Sequence, residues 1–108
     1  MDDSTWETVD RLVDWLDAHS QRDEQTERLL RVMKLSEEVG EVAEAVAGAL
    51  GQNPRKGQSH NWDHVENELC DVILTAMVAL RTINPAAGKV FAERLAYVAE
   101  RSLAPRPS

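Results

Sequence analysis

The sequence holds a single cysteine, Cys70, among 108 residues. One thiol builds neither a disulfide framework nor a cysteine zinc cluster, and that scarcity suits a reducing cytosol. Cys70 reads as a core thiol rather than a nucleophile. Positive charge is scarce too: 12 Lys and Arg stand against 19 Asp and Glu, for a formal net charge of −7. Proteins that grip a phosphate backbone need a basic face to displace counterions, so nucleic acid is not an expected partner. The most apolar run, Val72 to Leu80, falls well short of the roughly 20 residues a membrane helix requires. The opening MDDSTWETVD is acidic where a signal peptide is basic. These absences predict a soluble, cytoplasmic protein with no membrane partner. Strand-like alternation, internal repeats and low-complexity segments are missing as well, and no proline interrupts residues 23–50.

What remains is helical. The length allows one domain, residues 1–108, with a modest core. A first helix in segment 1–22 starts near Ser4, which can cap while Glu7 reaches back, and ends by His19 and Ser20. Leu29, Leu30, Met33, Leu35, Val39, Val42 and Val46 keep a helical period from about Asp23 to Leu50, where Gly51 offers a stop. Residues 51–61 form a loop with a small basic spot at Arg55 and Lys56. A third helix opens at Asn61 or Asp63 and runs to Ile83. Asn84 and Pro85 suit a cap and first position for a fourth helix over about 85–103, before a frayed tail, 104–108. The fold class is all-α, a four-helix bundle.

The second helix raises the chemical question. On a wheel of about 100° per residue with Glu41 at zero, Glu38 lies near +60°, Glu37 near −40°, Glu44 near −60° and Lys34 near +20°. Like charges at this spacing cost a helix a few tenths of a kcal/mol per pair, so the clustering needs a reason. In the third helix Asp71 is the one charge in LCDVILTAMVAL, and Glu68 projects from the same side. An aspartate in such a run is expected to be buried or nearly so, and buried carboxylates must be paired, protonated or bound to a metal. Lys34 answers one glutamate at most, and Arg81 is more than two turns from Asp71. If the two helices pack antiparallel, Glu38 and Glu41 face Glu68 and Asp71, and a hard divalent cation neutralises the set. Magnesium, with oxygen ligands and open positions for water and phosphates, is the natural choice.

Glu37-Glu38-Val39-Gly40-Glu41 reads E-E-x-x-E and Glu68-Leu69-Cys70-Asp71 reads E-x-x-D. Together they resemble the signature of the MazG-like, all-α nucleoside triphosphate pyrophosphohydrolases, over roughly residues 24–84. The resemblance implies that Glu38, Glu41, Glu68 and Asp71 hold magnesium, or manganese in its place, on the phosphates of a bound nucleotide. Water then attacks the α-phosphorus, releasing pyrophosphate and a nucleoside monophosphate. Glu37 becomes a candidate to orient that water or hold a second ion. Lys34 on the same face, and Arg55 and Lys56 from the loop, are candidate phosphate contacts, and Trp62 a candidate stacking partner for the base. Many relatives carry a lysine and asparagine pattern in the last helix; here the segment reads GKVFAERLAYVAER, with Lys89 and Arg94 as stand-ins.

Two rival functions stay open at the level of sequence: a phosphoribosyl-ATP pyrophosphohydrolase, and a non-catalytic helical assembly protein that keeps the acidic site. His60 and His64 read as surface or capping residues, and neither follows a glutamate by three, so the Glu-x-x-His pattern of di-iron bundles is absent. Apolar residues cover nearly all sides of the third helix, more than a chain of this size can bury alone. A homodimer or homotetramer is expected.

Overall fold

Asp23 starts the longest helix of the chain. Its backbone is extended, and its carboxylate accepts from the Thr26 amide at 2.8 Å and the Thr26 hydroxyl at 2.9 Å. At the far end Leu50 is the C-cap and Gly51 takes the left-handed conformation, φ 65°, that ends helices cheaply. Asn61 opens the next helix with a reciprocal capping box: its side chain accepts from the His64 amide, while His64 Nδ1 accepts from the Asn61 amide. The computed structural model describes residues 3–105, which form α1 (Asp3–His19), α2 (Glu24–Ala49), α3 (Trp62–Ile83) and α4 (Ala87–Leu103). No described residue is in a strand, and no single helix is long and apolar enough to cross a membrane.

The Thr26 amide and hydroxyl hold the Asp23 carboxyl below the ordinary aspartate range. A carboxyl lowered in the folded state stabilises the fold above its unfolded value, and that contribution disappears as pH falls through the folded one. Asp23→Asn keeps a capping side chain without the titration. Urea midpoints measured from pH 7 down to pH 3 should therefore fall less steeply in Asp23→Asn than in the wild type. Parallel curves would show that the cap carries none of the acid sensitivity.

Every other helix packs on α3. Ala45 and Ala49 of α2 meet Val65 near the start of α3, and Arg31 near the start of α2 donates to Thr82 at the end of α3, 3.0 Å, so the pair is antiparallel. Val9 and Val13 of α1 pack on Met77, flanked by Trp6 and Val78, and Arg81 reaches across to Asp10 at 2.7 Å. The α4 contact is lighter and centres on Phe91, whose ring lies 6.4 Å from that of Trp6. The loop between α2 and α3 folds back on α2: the Ser59 amide donates to the Gly48 carbonyl, and a β-carbon on Gly48 would overlap the His60 ring. That close approach, not an unusual backbone angle, is why a glycine stands there.

Several expectations need correction. Ser4 lies inside α1 rather than capping it, because the helix already includes Asp3. Residues 85–86 form a turn and α4 starts at Ala87: the Asn84 side chain accepts from the Ala86 amide, so it shapes the turn instead of capping a helix at Pro85. Cys70 is exposed, not a core thiol, since it points away from α2. Of the expected frayed tail, 106–108 lie outside the described residues, while Ala104 caps α4.

Candidate metal centre

Antiparallel pairing places the carboxylates of α2 opposite those of α3. One oxygen each from Glu38, Glu41 and Glu68 lies within 4.8 Å of the others. Glu38 is half-buried, its side chain 12% exposed, and Lys34 stands 3.7 Å from its Oε1 one turn earlier on α2. Glu41 is exposed and Glu68 half-buried. Glu68 Oε2 is buried without a hydrogen-bond partner among the described residues. A desolvated carboxylate oxygen with no donor is costly, and two further carboxylates beside it add repulsion. An all-oxygen set in which one member keeps a buried oxygen without a donor fits a hard divalent cation, which prefers carboxylates and keeps room for water and phosphate oxygens.

Asp71 departs from expectation. It is exposed, and it is not among the three clustered carboxylates. About 300° of helix rotation separates it from Glu68, so it lies one turn on along the same side of α3, within about 20° of the line of Thr82, which meets Arg31 of α2. Glu37 and Glu44 are exposed on the same side of α2.

The proposed substrate contacts are dispersed. Lys34 is beside the acidic trio. Lys56 lines a cavity of about 410 Å³ at the end of α2 with Glu44, Asn53 and His60, one turn beyond Glu41, whereas Arg55 is exposed outside it. Trp62 is exposed at the first position of α3, roughly a third of a turn round from Glu68. Arg94 stacks over the Tyr97 ring at 4.8 Å, and α4 meets α3 around Ile73, Ala76 and Leu80, a flank turned away from Glu68. Lys89 and Arg94 therefore belong to a different side of α3 from the trio.

Sequence reasoning missed a second feature next to Lys34. A largely apolar cleft of about 450 Å³ opens between α1, α2 and α3, walled by Leu12, Trp15, Leu30, Leu74 and Val78, with Lys34 and Arg31 at its edge. Trp15 is 59% exposed, and its ring sits 4.7 Å from that of His19. The parts were visible, since Trp6 and Trp15 are, like Trp62, aromatic candidates for stacking on a base; that Leu12, Trp15, Leu30 and Lys34 meet in one cleft depends on how α1 packs on α2 and α3.

Helices, carboxylate spacing and the trio all point one way, and the MazG nucleotide pyrophosphohydrolase domain model matches residues 25–100. The chain belongs to the MazG family. No curated protein and no solved structure matches it. For a MazG domain the matched span is informative: it runs from the first turn of α2 to the last turn of α4, so it contains both acidic motifs and leaves all of α1 outside. The family is one of nucleotide pyrophosphohydrolases that work with a divalent metal, and the acidic cluster of this MazG domain is where such an ion fits.

Proposed function

We propose that this MazG domain hydrolyses a (deoxy)nucleoside triphosphate to the monophosphate and pyrophosphate, with magnesium held by Glu38, Glu41 and Glu68 and by Asp71 once its side chain turns inward. The observation that carries the reading is the buried, unpartnered Glu68 oxygen within reach of two more carboxylates. A bound divalent ion supplies charge neutralisation for the phosphates and in-line placement of the reacting groups. The chain's own residues do the rest. Glu37, exposed on the same side of α2, accepts a hydrogen bond from the attacking water and aims its oxygen at the α-phosphorus. The bond from that phosphorus to the α,β-bridging oxygen breaks, and pyrophosphate leaves with the electron pair. Lys34 donates to a phosphate oxygen, exchanging its 3.7 Å contact with Glu38 for a substrate contact. The cleft beside Lys34 seats the base and sugar, with Trp15 as an aromatic wall. The working unit is a homodimer or homotetramer.

Pyrophosphate release from a panel of standard and modified nucleoside triphosphates tests this directly. Magnesium-dependent release is expected, with a clear preference within the panel and none in EDTA. Release from phosphoribosyl-ATP alone would move the substrate class. Magnesium binding with no turnover on any nucleotide would overturn the enzymatic reading.

A further inference from the structure

The reciprocal cap at the start of α3 is closed by an acceptor that titrates. A capping box ordinarily ends on a glutamate or glutamine three residues after the cap. Here that position is His64, whose Nδ1 accepts from the Asn61 amide at 3.0 Å, while the Asn61 side chain accepts from the His64 amide at 3.1 Å. A backbone N–H can only donate, so the bond fixes the tautomer: Nδ1 carries the lone pair and Nε2 the proton. An imidazolium has no lone pair on either nitrogen. One proton, taken up from water by this exposed ring, therefore sets a donor against a donor.

More than one bond depends on that cap. Just before Asn61, the Ser59 amide donates to the Gly48 carbonyl of α2 at 3.1 Å, and the His60 ring fills the space over Gly48. The rings of His60 and His64 meet edge to face with centroids 5.4 Å apart, so the cap and the return of the loop onto α2 are one assembly. His60 keeps its 3.0 Å bond to the Ser59 hydroxyl in either charge state, because a hydroxyl both donates and accepts. His64 has no such latitude. After it, Val65 packs on Ala45 and Ala49, and Glu68 follows one turn on. The other charged groups around the pair are Glu44 of α2, Lys56 of the loop and Asp63 in the first turn of α3.

We infer that His64 is a proton-operated latch. Neutral, it closes the cap that holds the first turn of α3 and the end of the loop against α2. Protonated, it releases both, and the turn that leads into Glu68 loses its anchor. The contribution to the fold is present while the ring is neutral and disappears as pH falls, within the range from about pH 8 to about pH 5 where histidine side chains change charge. The latch does not depend on whether the domain hydrolyses nucleotides.

Hydrogen exchange at the Asn61 and His64 amides, corrected for its intrinsic dependence on pH, tests this in the wild type, His64→Gln and His64→Ala. Wild-type protection should fall about fivefold across that range, the factor that one helix cap is worth. His64→Gln rebuilds the same box without the titration and should hold its protection throughout, whereas His64→Ala should be poorly protected at both ends. Carboxylate titration is common to the wild type and His64→Gln, so it cancels in the comparison. Parallel profiles for those two proteins would overturn the latch, and so would a His64→Ala protein as well protected as the wild type at neutral pH. Nitrogen chemical shifts of the wild-type ring need no substitution. They should show Nε2 protonated and Nδ1 bare at neutral pH; a proton on Nδ1 would overturn the assignment.

Discussion

Glu68→Gln should abolish magnesium-dependent pyrophosphate release while making the metal-free protein no less stable. The two effects have one cause. Glu68 is the α3 member of a trio whose other two carboxylates come from α2, so it is the residue through which an ion ties the helices together. Removing a carboxylate from a metal-assisted phosphoryl transfer forfeits several kcal/mol of charge stabilisation, which is a loss of at least about 100-fold in rate. Without the ion, Glu68 is a desolvated acceptor with no donor, crowded by like charge, and a neutral amide relieves that crowding. An ion at a hundred times its Kd stabilises the fold by about 2.7 kcal/mol, a shift on the order of 10 °C for a domain this small. Differential scanning calorimetry with and without magnesium should show that shift in the wild type and its near absence in Glu68→Gln. A variant that keeps turnover, or a wild type whose melting ignores magnesium, would sink the metal centre. A variant that melts lower without metal would instead give Glu68 a structural role.

Arg31→Ala should be the most destabilising single truncation outside the apolar core. Arg31 is 8% exposed and its guanidinium binds three elements at once: Asp17 of α1 at 2.8 Å, Glu27 of α2 at 3.0 Å and Thr82 of α3 at 3.0 Å. Thr82 passes the connection on by donating to the Val78 carbonyl at 2.8 Å. Glu27, also 8% exposed, keeps Arg22 at 2.5 Å when Arg31 is gone. The Ser20 hydroxyl, and then Arg22 and Arg31, hold the Glu27 carboxyl below the ordinary range. Truncating one side of a buried ion pair costs 3–5 kcal/mol, and because Arg22 remains, the low end, about 3 kcal/mol, applies. Chemical denaturation should report that loss. The double variant Arg31→Met, Glu27→Leu should recover much of it, since replacing both ions with apolar groups of similar size is often neutral. If Arg31→Ala loses less than about 1 kcal/mol, the network is a surface decoration of the kind that exposed pairs usually are.

The parts of this molecule that were legible in the sequence are those decided locally. Asp23, Gly51 and Asn61 set helix ends through their own side chains or backbone freedom, and those ends fall where cap chemistry predicts. Glu38, Glu41 and Glu68 share sides of helices because helical rotation is fixed, and antiparallel pairing suffices to bring them together. The failures concern what surrounds a residue. Asp71 and Cys70 sit in an apolar run, yet both are exposed, because the described helices pack on other parts of α3 and leave these positions uncovered. Periodicity assigns a residue to a side; it does not say which neighbour fills that side. Arg31 and Glu27 went unnoticed because a charged pair four residues apart reads as an ordinary surface couple, and only the arrival of Asp17 and Thr82 from other helices buries it. Pro85 is a fair first residue for a helix, but the Asn84 side chain bonds the Ala86 amide first and delays α4 to Ala87.

The hairpin of α2 and α3 has a consequence for how the protein comes into being. Glu41 and Glu68 are joined by a single turn of chain, the loop at 51–61, so the acidic trio is assembled by the same event that pairs the two longest helices. Local contacts of this kind form early, ahead of those needing distant segments. The repulsion among three carboxylates therefore opposes an early step of folding rather than a late adjustment, and Lys34, one turn before Glu38, is placed to ease it from within. An ion that neutralised the three carboxylates would ease that step, so divalent cations should speed closure of the hairpin in refolding as well as stabilise its product.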